Sequence, residues 1–129
     1  MTLLEVCNQL LNNADLMLSV DGENGVITLE FYPAAFDGVV TFTCQEYSRL
    51  HFRKHPDDAT GIFVGETKVS IVTDLTEIRR LYSEDGWQNC DKYNYNSVAL
   101  IEIEGGAMLS IVCEKFSWMK GQSIAQVEL

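Results

Sequence analysis

Apolar and polar residues alternate along most of this chain, and the period changes at definite places. Over residues 2–13 the apolar side chains Leu3, Val6, Cys7, Leu10 and Leu11 return every three or four positions. They share one face, which predicts an amphipathic helix. Thr2 and Glu5 have capping-box spacing at its start, and Asn12 and Asn13 suit its end. The period then drops to two. Leu16, Leu18 and Val20 alternate with Met17, Ser19 and Asp21; beyond the turn segment DGENG, Ile27, Leu29 and Phe31 alternate with Thr28 and Glu30. Two such runs around a Gly/Asn/Asp turn predict a hairpin.

Pro33 and Asp37-Gly38 mark the next connection. Residues 39–53 then predict a long strand with Val40, Phe42 and Cys44 on one side. Glu46 falls on that apolar side before Leu50 and Phe52 resume it. A bulge or break near 46–49 resolves the conflict. HPDDATG reads as a loop. Residues 61–73 predict a strand in which Gly65 marks a bulge or a close backbone approach. Asp74 and Glu77 signal a second helix, with Leu75, Ile78, Leu81 and Tyr82 along one side and an end near Gly86. Residues 83–96 show no period. Strands follow at 97–104 and 107–118, and 119–129 read as a frayed tail or a short edge strand.

The register of the last hairpin follows from segregation. A three-residue loop, 105–107, sets Glu104 beside Met108 and Glu102 beside Ser110. It gathers Ala99, Ile101, Ile103, Leu109, Ile111 and Cys113 on one face. A two-residue turn instead sets the glutamates beside apolar residues, and a one-residue slip exchanges every side chain's face. The element order is therefore α-β-β-β-β-α-β-β. Short connections favour antiparallel pairing. The predicted object is a single α+β domain over residues 1–129: a curved, mostly antiparallel sheet of five to seven strands with one or two helices packed on one face.

Composition is ordinary for a globular chain of 129 residues, with 47% hydrophobic and 22% charged residues. Charge changes the picture more. The first 48 residues hold seven acids and no lysine or arginine, and the formal net charge is −10. Such a balance argues against nucleic acid, whose phosphates require cations. It favours a basic partner or simple solubility. The small basic patch of Arg49, His51, Arg53 and Lys54 does not reverse this; paired with acidic surface, it allows a homodimer. No apolar run reaches the roughly 20 residues of a membrane helix. The N-terminus lacks the basic and apolar regions of an export signal. Cysteines 7, 44, 90 and 113 form no metal knuckle or CxxC pair, so free thiols in a cytoplasmic protein are expected.

Candidate chemistry is sparse. His51 and His55 lie among cations, which disfavours a metal. Cys44 and Cys113 sit on apolar faces, which raises a thiol pKa and argues against a nucleophile. Glu102, Glu104 and Glu114 are expected on an outer, solvated strand face. No metal, cofactor or catalytic residue is assigned. The segment 82–96 stands out: Tyr82, Asp85, Trp87, Tyr93 and Tyr95 among small polar residues have the composition of a binding loop. The leading expectation is a small, acidic, non-catalytic protein-binding module, one version being an immunity- or antitoxin-like inhibitor of a basic enzyme. The alternatives are a small-molecule-binding or enzymatic domain, with Glu46 buried beside a pocket between sheet and helices, and a homo-oligomeric structural protein.

Overall fold

The computed structural model describes residues 1–57, 61–88 and 96–122. Its elements follow the predicted order. Helix α1 (Leu3–Glu5) opens on the capping box of Thr2 and Glu5 and runs directly into a π-helical turn, Val6–Leu10. Strands β1 (Asp15–Asp21) and β2 (Val26–Tyr32) form the first hairpin, followed by the long strand β3 (Gly38–Lys54) and by β4 (Val64–Val72). Helix α2 (Leu75–Glu84) precedes the closing hairpin of β5 (Val98–Gly105) and β6 (Ala107–Gln122). All six strands form one antiparallel sheet in the order β1-β2-β3-β6-β5-β4. The closing hairpin has the register that segregation predicted, with Glu102 opposite Ser110 and Glu104 opposite Met108. β6 runs past Trp118: Met119, Lys120 and Gly121 pair with Thr41, Val40 and Val39. Residues 119–122 are thus paired strand, because β3 is long enough to hold them.

β3 and β6 pair over their whole lengths, but their neighbours divide them. β2 covers only the first part of β3, as far as Gln45 opposite Val26. β5 covers only the first part of β6, as far as Cys113 opposite Ala99. The sheet therefore has two halves joined through the middles of two shared strands. At that junction the alternation slips. Cys44 and Tyr47 both face the core with two residues between them, and so do Cys113 and Phe116 on the facing strand. Glu46 takes the slip with a left-handed backbone (φ 54°), uncommon for a residue with a side chain. A bulge between Tyr47 and Arg49 follows. Bulges and bends of this kind let a strand turn from one sheet layer into the next. The polar residue that interrupted the apolar pattern is thus where the sheet bends.

Curling brings the two edge strands together. The Asn13 N–H donates to the Val64 carbonyl, that of Val64 to Ala14, and that of Leu16 to Ile62, each at 2.9 Å. Residues 62–63, which the pattern assigned to β4, serve this seam instead. The β5–β6 turn seats against it: the Gly106 N–H donates to the Phe63 carbonyl at 2.8 Å, and any side chain at Gly105 would strike the Phe63 and Gly65 backbone. Gly65 is both a bulge and a close approach to the Glu104 carbonyl.

The inner face carries the main core. Val6, Leu11, Ile27, Leu29, Phe31, Val40, Phe42, Ile101 and Ile111 are fully buried there, together with Cys44 and Cys113. Phe42 meets Phe31 and Phe116 edge-on at ring-centre distances of 4.8 and 5.1 Å, the geometry aromatic pairs prefer. The N-terminal helical segment lies on this face. Helix α2 lies on the opposite face, where Ile78, Leu81 and Tyr82 pack on Val98 and Val112, with Val72 and Leu100 beside them. The helices thus take one face each rather than a common face. The reason is visible in VALI at 98–101, apolar on both phases of the alternation.

Candidate functional site

The outer face of β3, β6 and β5 is only partly covered by α2. Beyond the helix end, two cross-strand rows lie open. One runs from His51 through Ser110 to Glu102, the other from Arg53 through Met108 to Glu104. Together they line a groove of about 570 Å³. Its floor is Ser110 and Met108 on β6; Met108 is 48% exposed. β3 supplies a cationic rail through Arg53, with the His51 imidazole beside it, and β5 an anionic one, whose Glu102 also lies opposite Lys68 of β4. The rails stand two strand spacings apart, roughly 10 Å. Arg53 reaches inward and donates to the Met108 sulfur at 3.4 Å.

The end of α2 lies near His51, one of the groove residues, and its position is strongly determined. Asp74 caps the helix start by accepting from the Thr76 N–H at 2.9 Å. At the other end Gly86 adopts a left-handed conformation (φ 84°). The Gly86 N–H donates to the Ser83 carbonyl and that of Trp87 to the Tyr82 carbonyl, at 3.0 and 3.1 Å. This paired closure is a Schellman motif. Arg49 then ties the helix to the sheet. Its Nε donates to both Asp85 carboxylate oxygens at 2.7 and 3.0 Å, Nη2 to the Leu81 carbonyl at 3.2 Å, and Nη1 to the Ser110 hydroxyl at 3.3 Å. The two side chains are only 9% and 8% exposed. A cation beside the last carbonyls also complements the helix dipole. His51 Nε2 sits 3.4 Å from the same carboxylate with its ring mostly in solvent, so one buried anion holds Arg49 and lies beside His51.

Of the five residues of the predicted binding loop, the three that are described separate in the fold. Tyr82 belongs to the outer-face core at 6% exposure. Asp85 is the partner of Arg49. Trp87 presents surface, with 56% of its area exposed immediately beyond the Schellman closure. Tyr93 and Tyr95 lie outside the described residues. Sequence reasoning weighed Arg49, His51, Asp85, Glu102 and Glu104 in separate groups; the fold brings Arg49 and His51 to Asp85 at the end of α2 and sets Glu102 and Glu104 across β6 from His51 and Arg53. Cross-strand register carried part of that signal, since it fixed Glu102 beside Ser110.

A second acidic pair sits at the sheet bend. Glu46 and Glu114 hydrogen-bond to each other. Partial burial and the neighbouring carboxylate push Glu114 up to about 7. Glu46 is held below the usual carboxylate value by its bond to Glu114 and by Lys115, 3.3 Å away. Glu46 exposes 52% of its side chain, so the condition that it be a buried carboxylate beside an interior pocket is not met. Cys7, Cys44 and Cys113 are free and buried. The hydrogen bond with Cys113, together with burial, holds the Cys44 thiol well above its ordinary value. His55 accepts from the Asp57 N–H at 3.1 Å. Among the described residues no helix is long and apolar enough to cross a membrane.

Compared with protein-family models and with curated proteins, the sequence matches none.

Proposed function

We propose that this protein is a small non-catalytic module that binds another protein at the outer face of the sheet, beside the end of α2. The observation that carries the reading is Trp87. More than half of this large aromatic surface faces water, yet its backbone is pinned by the Schellman closure and the Arg49–Asp85 tie. Rigid, exposed tryptophans are favoured interface anchors because they contribute area at little entropic cost. The groove on the same face provides polar groups for orientation; His51 on its rim lies 3.4 Å from Asp85, two residues before Trp87. The net charge of −10 steers a basic partner toward the molecule. An inhibitor of a basic enzyme, of the immunity or antitoxin kind, is one version, supported by charge and size. We place the protein in the cytoplasm, where the three free buried thiols among the described residues stay reduced.

The test is affinity capture from native extract with the wild type and Trp87→Ala as parallel baits. A specific protein retained by the wild type and lost with the variant, at an unchanged melting temperature, supports the reading. Equal retention by both baits removes this surface from it.

A further inference from the structure

The groove has a property that Trp87 alone does not explain. Its two rails carry opposite charge, and β6 keeps them apart. His51 and Arg53 lie on β3, Glu102 and Glu104 on β5, with Ser110 and Met108 between. At roughly two strand spacings the rails do not neutralise each other by direct contact. Opposite charges at this separation, with only the uncharged Ser110 and Met108 between them, fit an occupant that is itself dipolar.

We propose that the groove takes a peptide segment of a protein partner in which an acidic residue and a lysine or arginine stand two positions apart, laid across the strands with the acid over Arg53 and His51 and the base over Glu102 and Glu104. The proposal rests on the reading above and names the chemistry that the partner presents. In an extended segment, residues i and i+2 point the same way about 6.7 Å apart. Side chains on both partners then cover the rest of the span. The residue between them points away, and the backbone passes over Met108. A free cation or anion satisfies one rail only, and a wholly basic segment meets Arg53 head-on. A second copy of this chain fits less well. The two-fold that sets cationic rail over anionic rail runs along β6, and it brings α2, standing on the same face, against its own copy.

The test uses the full chain and three blocked synthetic pentapeptides of equal length: one with Asp and Lys two apart in an alanine background, one with two Asp, and one with two Lys. Each is titrated into labelled protein while the Met108 methyl and the amides of His51, Ser110 and Glu102 are followed by NMR. The expected result is saturable shifts with the mixed peptide, at least threefold tighter than with either single-sign peptide, and weakening with salt. Each exposed ion pair is worth a factor of about two to five. Arg53→Gln should move the preference to the two-Lys peptide, and Glu104→Gln to the two-Asp peptide. Both side chains are exposed, so both variants retain the fold. Equal affinity for all three peptides, shifts that map away from the groove, or preferences unmoved by either substitution overturn the proposal. The two readings fail separately. Loss of partner capture with Trp87→Ala and no peptide in the groove leaves the module and removes its dipolar specificity. A peptide preference in the groove beside unchanged capture does the reverse.

Discussion

The two faces of this sheet are built for different ends. The inner face is a continuous apolar layer, filled by Phe31, Phe42, Ile27, Ile101 and Ile111 and covered by the N-terminal helical segment. The outer face is divided. One part is apolar and lies under α2; the rest is charged and open, and the buried Arg49–Asp85 ion pair marks the border. The inner face gains stability from area removed from water, which needs no direction. The outer border depends on geometry: Arg49 must meet a carboxylate, a helix carbonyl and a hydroxyl together. The difference teaches where specificity can be built. An apolar layer tolerates few changes of volume and recognises nothing, whereas an open polar surface beside a buried ion pair presents directed groups.

Substitutions sharpen that contrast. Phe42→Ala, at the centre of the inner face, should cost about 3–5 kcal/mol in urea unfolding. A loss below about 1 kcal/mol would show the inner layer to be less tightly packed than described. Asp85→Ala strands the buried Arg49 charge and should cost about 3 kcal/mol. Hydrogen exchange should show the loss as faster opening of residues 81–85, with the inner strands still protected. The double substitution with Arg49→Met should recover part of that loss, since removing both charges is less harmful than removing one.

Thr67→Val should act in the other direction. Thr67 is 4% exposed, and its hydroxyl has no hydrogen-bond partner among the described residues. Replacing it with a methyl of similar size should stabilise by about 1 kcal/mol in thermal unfolding. The Glu46–Glu114 pair gives a pH test. Unfolded, Glu114 loses its proton near 4.5; folded, it keeps it to about 7. Between those values the folded state binds the extra proton, so stability present below 4.5 is lost as pH rises toward 7. Glu46 acts oppositely and lower: its contribution is present above the ordinary value and lost as pH falls. Glu114→Gln should therefore flatten the decline between 4.5 and 7, as urea midpoints across that window will show. The smallest effect belongs to Trp87→Ala, expected within about 0.5 kcal/mol of the wild type. A larger loss would assign the indole to folding rather than recognition.

Local patterning made much of this fold legible. β1 and β2 begin and end where alternation does, because each has one buried face and one wet one. Glu46 announced the bend because a carboxylate cannot continue an apolar face. The Glu102–Ser110 register followed because a slip would bury charge. What stayed hidden depends on long-range closure. Nothing near Leu16 says that its N–H will find Ile62, and nothing near Asp85 names Arg49, 36 residues earlier. The opposite placement of the helices was present in Val98, Leu100 and Val112, whose outward phase called for a second cover. The groove was half visible. Its acids were expected on an outer face, but the cations across from them required the β3–β6 pairing.

That pairing carries one more consequence. β3 and β6 each belong to both halves of the sheet, so neither half owns a complete set of strands. A nick in either one would damage both halves at once. The chain should therefore melt in one step, with no smaller piece able to survive alone.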